Sequence, residues 1–149
     1  MLIQRGMRDR LDKYLDINSN IHISMSVSGS AVYDFCCFGV DGNGKLSDDR
    51  YMVFYNQTQS PNSEIAYASI NNGANFTINL SKLPTNINKL VFTVSIDGNG
   101  TTGNISTHNL SFKQGANTPL EMSLSGRDFR SEKAIISIEI YKKILGDLQ

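Results

Sequence analysis

Residues 21–28, IHISMSVS, put Ile21, Ile23, Met25 and Val27 on one side of an extended chain and His22, Ser24, Ser26 and Ser28 on the other. A two-residue period does not fit a helix, which returns to the same face about every 3.6 residues; it fits a strand with one face buried and one in water. The stretch 32–40, VYDFCCFGV, is apolar on both sides apart from Asp34 and reads as a central strand covered on both faces. Strand-like runs follow at 50–55 (RYMVFY), 75–80 (NFTINL), 89–96 (KLVFTVSI), 106–113 (STHNLSFK), 119–125 (PLEMSLS) and 132–143 (EKAIISIEIYKK). In the last of these, Ile135, Ser137, Glu139 and Tyr141 alternate with Ile136, Ile138 and Ile140. Helical signals are confined to 8–16, to 81–90 with its opening at Pro84, and to 129–134. The pattern predicts an all-β chain: a β-sandwich of two mostly antiparallel sheets with one or two short helical turns.

The tetrapeptide DGNG occurs twice, at 41–44 and 97–100. It resembles the start of a calcium loop and equally the tip of a hairpin. An EF-hand loop needs oxygen ligands at positions 1, 3 and 5, Gly at 6 and Glu at 12. Counted from Asp41, positions 5 and 12 are Lys45 and Met52; counted from Asp97, positions 5, 6 and 12 are Thr101, Thr102 and His108. Neither is an EF-hand. Each tetrapeptide follows an apolar strand, and Asp-Gly and Asn-Gly tolerate positive φ, so both are expected to be turns, with Gly42 or Gly44 at positive φ in the first. Asp97 ends a central strand, where its carboxylate is a candidate metal ligand. Asp34 is the other candidate. A carboxylate among Val32, Tyr33, Phe35 and Phe38 is costly to bury unless it is paired, hydrogen-bonded or bound to a cation, and both the bland and the metal readings stay open.

No catalytic set is legible. The two histidines, His22 and His108, have no second metal ligand near them in sequence, and both read as ordinary surface groups. There is no nucleophile elbow, phosphate loop or dinucleotide fingerprint. Cys36 and Cys37 are adjacent, so on a strand they point to opposite faces and cannot readily share a metal or a disulfide; burial is the simple expectation, thiol chemistry the alternative. The 14 Lys+Arg balance the 14 Asp+Glu. A neutral chain without basic runs offers no general attraction for nucleic acid or anionic membrane. With no long apolar span and no secretory leader pattern, a cytoplasmic protein without direct membrane insertion is expected.

Several blocks together resemble one family. They are YDFCCFGVDGNGKLSDDRYMVFYNQTQSP (33–61), FTINLSKLPTNINKLVFTVSID (76–97) and EKAIISIEIYKK (132–143). In order and spacing they are similar to the TerD-type tellurium-resistance and stress proteins. The Cys-Cys strand, the KLSDDRYMVFYNQ block and the opening LIQRG look most like the TerA branch. The resemblance covers roughly residues 20–143 and implies a bacterial cytoplasmic β-sandwich, with 1–19 as a lead-in segment and 20–149 as the TerD-like domain.

Calcium binding and membership of a multiprotein complex are what the family implies. Its calcium binders carry Asp-x-Asp-x-Asp on the first core strand, which falls here on Ser30, Val32 and Asp34. Their acidic loop falls on SINNGAN (69–75), which has no carboxylate. What remains is a degenerate calcium site of Asp34 and Asp97, with neutral Asn71, Asn72, Asn75 or Asn99. The family also continues past EIYKK with a further strand, whereas this sequence reads KILGDLQ. An open sheet edge is therefore expected at the last strand, guarded by Lys142 and Lys143. The expected function is a non-enzymatic binding and assembly module of a tellurite-resistance and stress system. Its partners would be other proteins of that system, with self-association through a sheet edge and no certain cofactor. The alternatives are a calcium-binding domain and a thiol-dependent tellurite or redox protein acting through Cys36 or Cys37.

Overall fold

The structure, a computed structural model, describes residues 1–125, 128–129 and 131–141. The expected Lys142–Lys143 guard and the KILGDLQ tail lie outside the described residues. Among the described residues nine strands form two antiparallel sheets: β1 (Ile21–Gly29), β2 (Val32–Val40), β3 (Met52–Val53), β4 (Ile65–Ile70), β5 (Gly73–Ile78), β6 (Lys89–Asp97), β7 (Ile105–Gln114), β8 (Asn117–Leu124) and β9 (Ala134–Tyr141). The strand order is β4-β5-β1-β7-β8 in one sheet and β3-β2-β6-β9 in the other. This is the predicted sandwich. Four three-residue 3-10 turns are complete among the described residues, at Leu11–Lys13, Asp49–Tyr51, Leu80–Lys82 and Thr102–Asn104. No helix forms in the described part of 129–134.

The alternation in β1 sets the core as expected. Ile21, Ile23, Met25 and Val27 face inward and are buried, together with Phe76 and Ile78 of β5, Leu90, Phe92 and Val94 of β6, and Leu110 and Phe112 of β7. Phe76 and Phe92, from opposite sheets, meet edge to face with ring centroids 5.4 Å apart, an arrangement that suits the quadrupoles of both rings.

Three expectations need correction. The run 50–55 is only a two-residue strand, because Asp48 caps the 3-10 turn before it through its side chain. The strand β4, IAYASI, was not anticipated at all: it hydrogen-bonds to β5 through a turn at Asn71–Asn72. The alternation in β9 also fails, because a bulge opposite Phe92/Thr93 inserts Ser137. Ile135 and Ile138 therefore both pack on the core, while Ile136 points out.

Three of the four sheet edges are shortened or covered. β3 is two residues long. β4 is bridged by Gln59 opposite Ala66, with the Tyr67 amide donating to Thr58 O. β8 is paired in parallel by the N-terminus, where the Ile3 amide donates to Glu121 O and the Glu121 amide to Met1 O. Among the described residues β9 pairs with β6 alone.

Candidate functional site

The first DGNG is a closed turn. The Asp41 carboxylate accepts the amides of Asn43 (2.9 Å) and Lys45 (3.0 Å), and Gly44 has φ +76°. An oxygen that satisfies two amides has little left for a cation. The second DGNG is also a turn, with Gly98 and Gly100 at φ +89° and +110°. An ammonium from the chain lies against it: Lys133 Nζ donates to Gly98 O (3.2 Å) and to Gly100 O.

Asp34 lies on the outer face of the four-stranded sheet and lines a hollow of about 630 Å3, with Val32, Tyr33, Ser69, Asn72 and Gly73 among the walls. Residues 31–34 and the hairpin of Ser69, Ile70, Asn72 and Gly73 thus meet at the hollow. The loop is a tight hairpin here. Asn72 takes φ +61°, and a Cβ on Gly73 would stand 1.9 Å from Met25 O, so the turn is pressed onto β1. Asn75 is turned away, accepting from Ser24 Oγ at 3.0 Å, and Asp97 does not line the hollow.

Neither bland reading of Asp34 holds. It makes no salt bridge or hydrogen bond among the described residues; it is only half-buried, and water reaches it. Burial raises its carboxyl above the ordinary range, and the charge of Asp97, diagonal to it across β2 and β6, raises it further. Calcium takes 6–8 oxygen ligands, usually with several carboxylates. This hollow supplies one carboxylate and neutral groups, and no cluster of three His, Cys, Asp or Glu occurs among the described residues. The donor set does not fit a resident calcium ion.

The cysteines are both buried. Cys37 faces the core beside Val53, and Cys36 faces the outer side opposite Thr93. Burial pushes the Cys36 thiol up to about 12, and burial with the neighbouring Cys36 pushes Cys37 well above its ordinary value. Thiols held protonated and covered are poor nucleophiles.

Two buried polar clusters were not anticipated. Glu64 is fully buried, and its carboxylate accepts from Tyr51 OH (2.5 Å), Ser60 Oγ (2.6 Å) and the Asn62 amide (2.8 Å). Burial alone raises this carboxyl, but the bonds from Ser60, Tyr51 and Asn62 outweigh it and the net shift is downward. Gln57 Nε2 donates to Asp49 O and Met52 O, so the YNQTQSP block serves as scaffold. His108 is likewise buried, contrary to the surface reading. Its Nδ1 is 3.0 Å from Ser26 O and its Nε2 2.8 Å from Ser137 Oγ. A carbonyl only accepts, so Nδ1 carries the proton and neutral Nε2 accepts from the serine hydroxyl. Burial lowers the imidazole pKa, in keeping with the neutral form. The inward parity shared by His108, Leu110 and Phe112 was the available signal.

A second concavity, about 520 Å3, opens between β8 and β9 beneath residues 3–14. Leu120, Met122, Ile138 and Ile140 line its floor, and Arg5 and Arg8 stand at its rim.

The profile of the TerD domain matches residues 2–145. The chain belongs to the TerD domain family. It is 33% identical over 95 residues to the tellurium resistance protein TerA of an Alcaligenes species, which covers 62% of this chain and 27% of that protein. It is 30% identical over 121 residues to general stress protein 16U of Bacillus subtilis strain 168, covering 73% of this chain and 63% of that protein. The chain thus spans about a quarter of the first relative and under two-thirds of the second. Among solved structures it is similar to a homologue of the telluride resistance protein TerD, SCO6318 from Streptomyces coelicolor A3(2) (TM-score 0.65, 15% identity, 87% of this chain and 85% of that one). It is equally similar to SAV2460, a protein of unknown function (TM-score 0.65, 15% identity, 87% and 84%). At 15% identity these two speak for the fold alone. The resemblance read from the sequence blocks is therefore correct. No described helix is long and apolar enough to cross a membrane.

Proposed function

We propose that this TerD-family chain is a non-enzymatic binding and assembly module of a bacterial tellurite-resistance and stress-response system. It works in the cytoplasm through other proteins of that system. The observation that carries the reading is that, among the described residues, β9 pairs with β6 alone. Three other edges are short or covered, whereas β9 offers a ladder of backbone donors and acceptors beside the apolar cleft it shares with β8. Such an edge accepts a strand from another chain, and a second copy can use it too. The calcium reading lacks donors at Asp34, and the thiol reading lacks accessible sulfur at Cys36 and Cys37.

The test is affinity capture from the native host under tellurite challenge, with lysine cross-linking. The expected result is recovery of tellurite- and stress-system proteins cross-linked through Lys133 and Lys89, which flank β9. Recovery of none of them, or tellurite reduction by the purified chain alone, overturns the proposal.

A further inference from the structure

Three asparagines stand directly before a glycine: Asn43, Asn72 and Asn99. Such pairs undergo a reaction that needs only water. Glycine has no side chain to shield its amide nitrogen, so the nitrogen of the glycine can reach the carboxamide carbon of the asparagine before it. The nitrogen gives its proton to hydroxide and attacks Cγ. The N–Cγ bond forms, the Cγ–Nδ2 bond breaks, and Nδ2 takes a proton from water and leaves as ammonia. Water then opens the cyclic imide at either carbonyl. One product is aspartate. The other is isoaspartate, in which the main chain runs through the former side-chain carbon. No oxidant or cofactor takes part.

Ring closure requires the asparagine to turn about its own backbone and the glycine amide to be free of other partners. The fold withholds both at two of the three pairs. In the first, the Gly44 amide donates to Asp41 O at 3.0 Å, while the amides of Asn43 and Lys45 both donate to the Asp41 carboxylate. In the second, Gly73 is paired with Ile70 of β4 and Ser26 of β1, and Asn72 O accepts the Val27 amide at 2.9 Å. The third pair is open. Asn99 is exposed, and neither its amide nor that of Gly100 donates a hydrogen bond among the described residues. The carbonyls on either side, Gly98 O and Gly100 O, are held by Lys133 Nζ, so the turn is fixed at its flanks and unbonded at the reacting peptide. Gly100 itself has φ +110°, which a side chain would not tolerate, so the turn demands the glycine that makes the pair labile.

We propose that Asn99 is a site of spontaneous deamidation, and that its conversion to isoaspartate releases the start of β9. The inference rests on the turn alone and stands apart from the proposed function. The turn is tied to the residues that lead into β9: Lys133 Nζ reaches Gly98 O at 3.2 Å, the Thr102 amide donates to Glu132 O at 2.9 Å, and the Ile96 amide donates to Lys133 O at 2.8 Å. Isoaspartate adds a main-chain carbon between Gly98 and Gly100. Their carbonyls move apart, and one ammonium no longer bonds both. The same reaction leaves a carboxylate two residues from Asp97, which adds negative charge at this end of the sheet.

The test is to age the full chain in mildly alkaline buffer and follow the three Asn-Gly peptides by mass spectrometry, with isoaspartate detected by its specific methyltransferase. In the native chain Asn99 is expected to convert at least about tenfold faster than Asn43 or Asn72, which react only through local opening. In urea, where no turn protects any of them, the three rates are expected to converge. The aged chain, separated by anion exchange, is then compared with fresh chain by hydrogen exchange. The amides of Thr102 and Ile96 are expected to exchange about tenfold faster after conversion, and that of Gly44 to stay unchanged. Asn99→Gln, whose longer side chain closes the ring far more slowly, is expected to show neither the product at position 99 nor the change in exchange on ageing. A native chain in which Asn43 or Asn72 converts as fast as Asn99, or in which Asn99 is stable while it reacts in urea, overturns the site. Unchanged exchange at Thr102 and Ile96 in the converted chain, or the same change in aged Asn99→Gln, overturns the release of β9.

Discussion

Removing the carboxylate of Glu64 should show that the family's YNQTQSP block is scaffold. In Glu64→Ala three donors lose their acceptor. They are not equal. Ser60 Oγ has a second acceptor in Ile65 O at 3.4 Å, and the Asn62 amide belongs to an exposed residue, so both are partly compensated. Tyr51 OH, on a residue only 4% exposed, is stranded. A buried polar group without a partner costs about 1–3 kcal/mol, so one stranded and two partly compensated donors total about 3 kcal/mol. For a chain of this length that lowers Tm by roughly 6–12 °C. Tyr51→Phe alone should cost about 1–2 kcal/mol, yet be neutral or stabilising in the Glu64→Ala background, where it removes the stranded hydroxyl. The pH dependence has a definite sign. The folded chain holds this carboxyl below its ordinary 4.5, so on acidification the unfolded chain takes up its proton first. The contribution is complete above about pH 4.5 and is lost as the pH falls through the lower folded value. Thermal melts of the wild type and the three variants at neutral pH and in acid read all of this. A Glu64→Ala loss under about 1 kcal/mol, or additive costs in the double variant, refutes the reasoning.

Millimolar calcium should leave Tm nearly unchanged in both the wild type and Asp34→Asn; saturation at 100 times Kd would add about 2.7 kcal/mol, so a rise of several degrees that Asp34→Asn abolishes would show a real site. Cys36 and Cys37 should resist a thiol reagent in the native chain at pH 8 and react together on unfolding, because burial keeps both protonated; fast labelling of either in the native state contradicts this. For His108, folding holds the imidazole below its ordinary 6.5, so its stabilising effect is present above about pH 6.5 and declines as the pH falls toward the folded value. His108→Leu should be less stable at neutral pH and show a flatter stability profile between pH 7 and 5, as read by urea melts.

The sandwich was legible because a strand's two faces are written locally. Ile21, Ile23, Met25 and Val27 stand two apart and need no distant information to mark one buried side. The DGNG turns were legible for the same reason: Asp41 caps its own next residues. β4 escaped because IAYASI has little alternation and is held as a strand by its ladder to β5. The β9 bulge escaped because its extra residue is defined only by register against β6, and one inserted residue moves Ile138 to the other face. Glu64 lies in a turn without periodicity, and its three donors come from positions 51, 60 and 62 only once β3 and β4 are placed. The sequence alone determined a two-sided apolar β2, a depleted carboxylate set around Asp34 and the absence of a catalytic motif. Tertiary structure decided that Asp34 stands half in water and that His108 is bonded across the core to Ser137. It also decided that the apolar outer side of β2 is left with Ile136 exposed beside it. Contacts between sheets depend on residues far apart in the chain, and no local period carries that information.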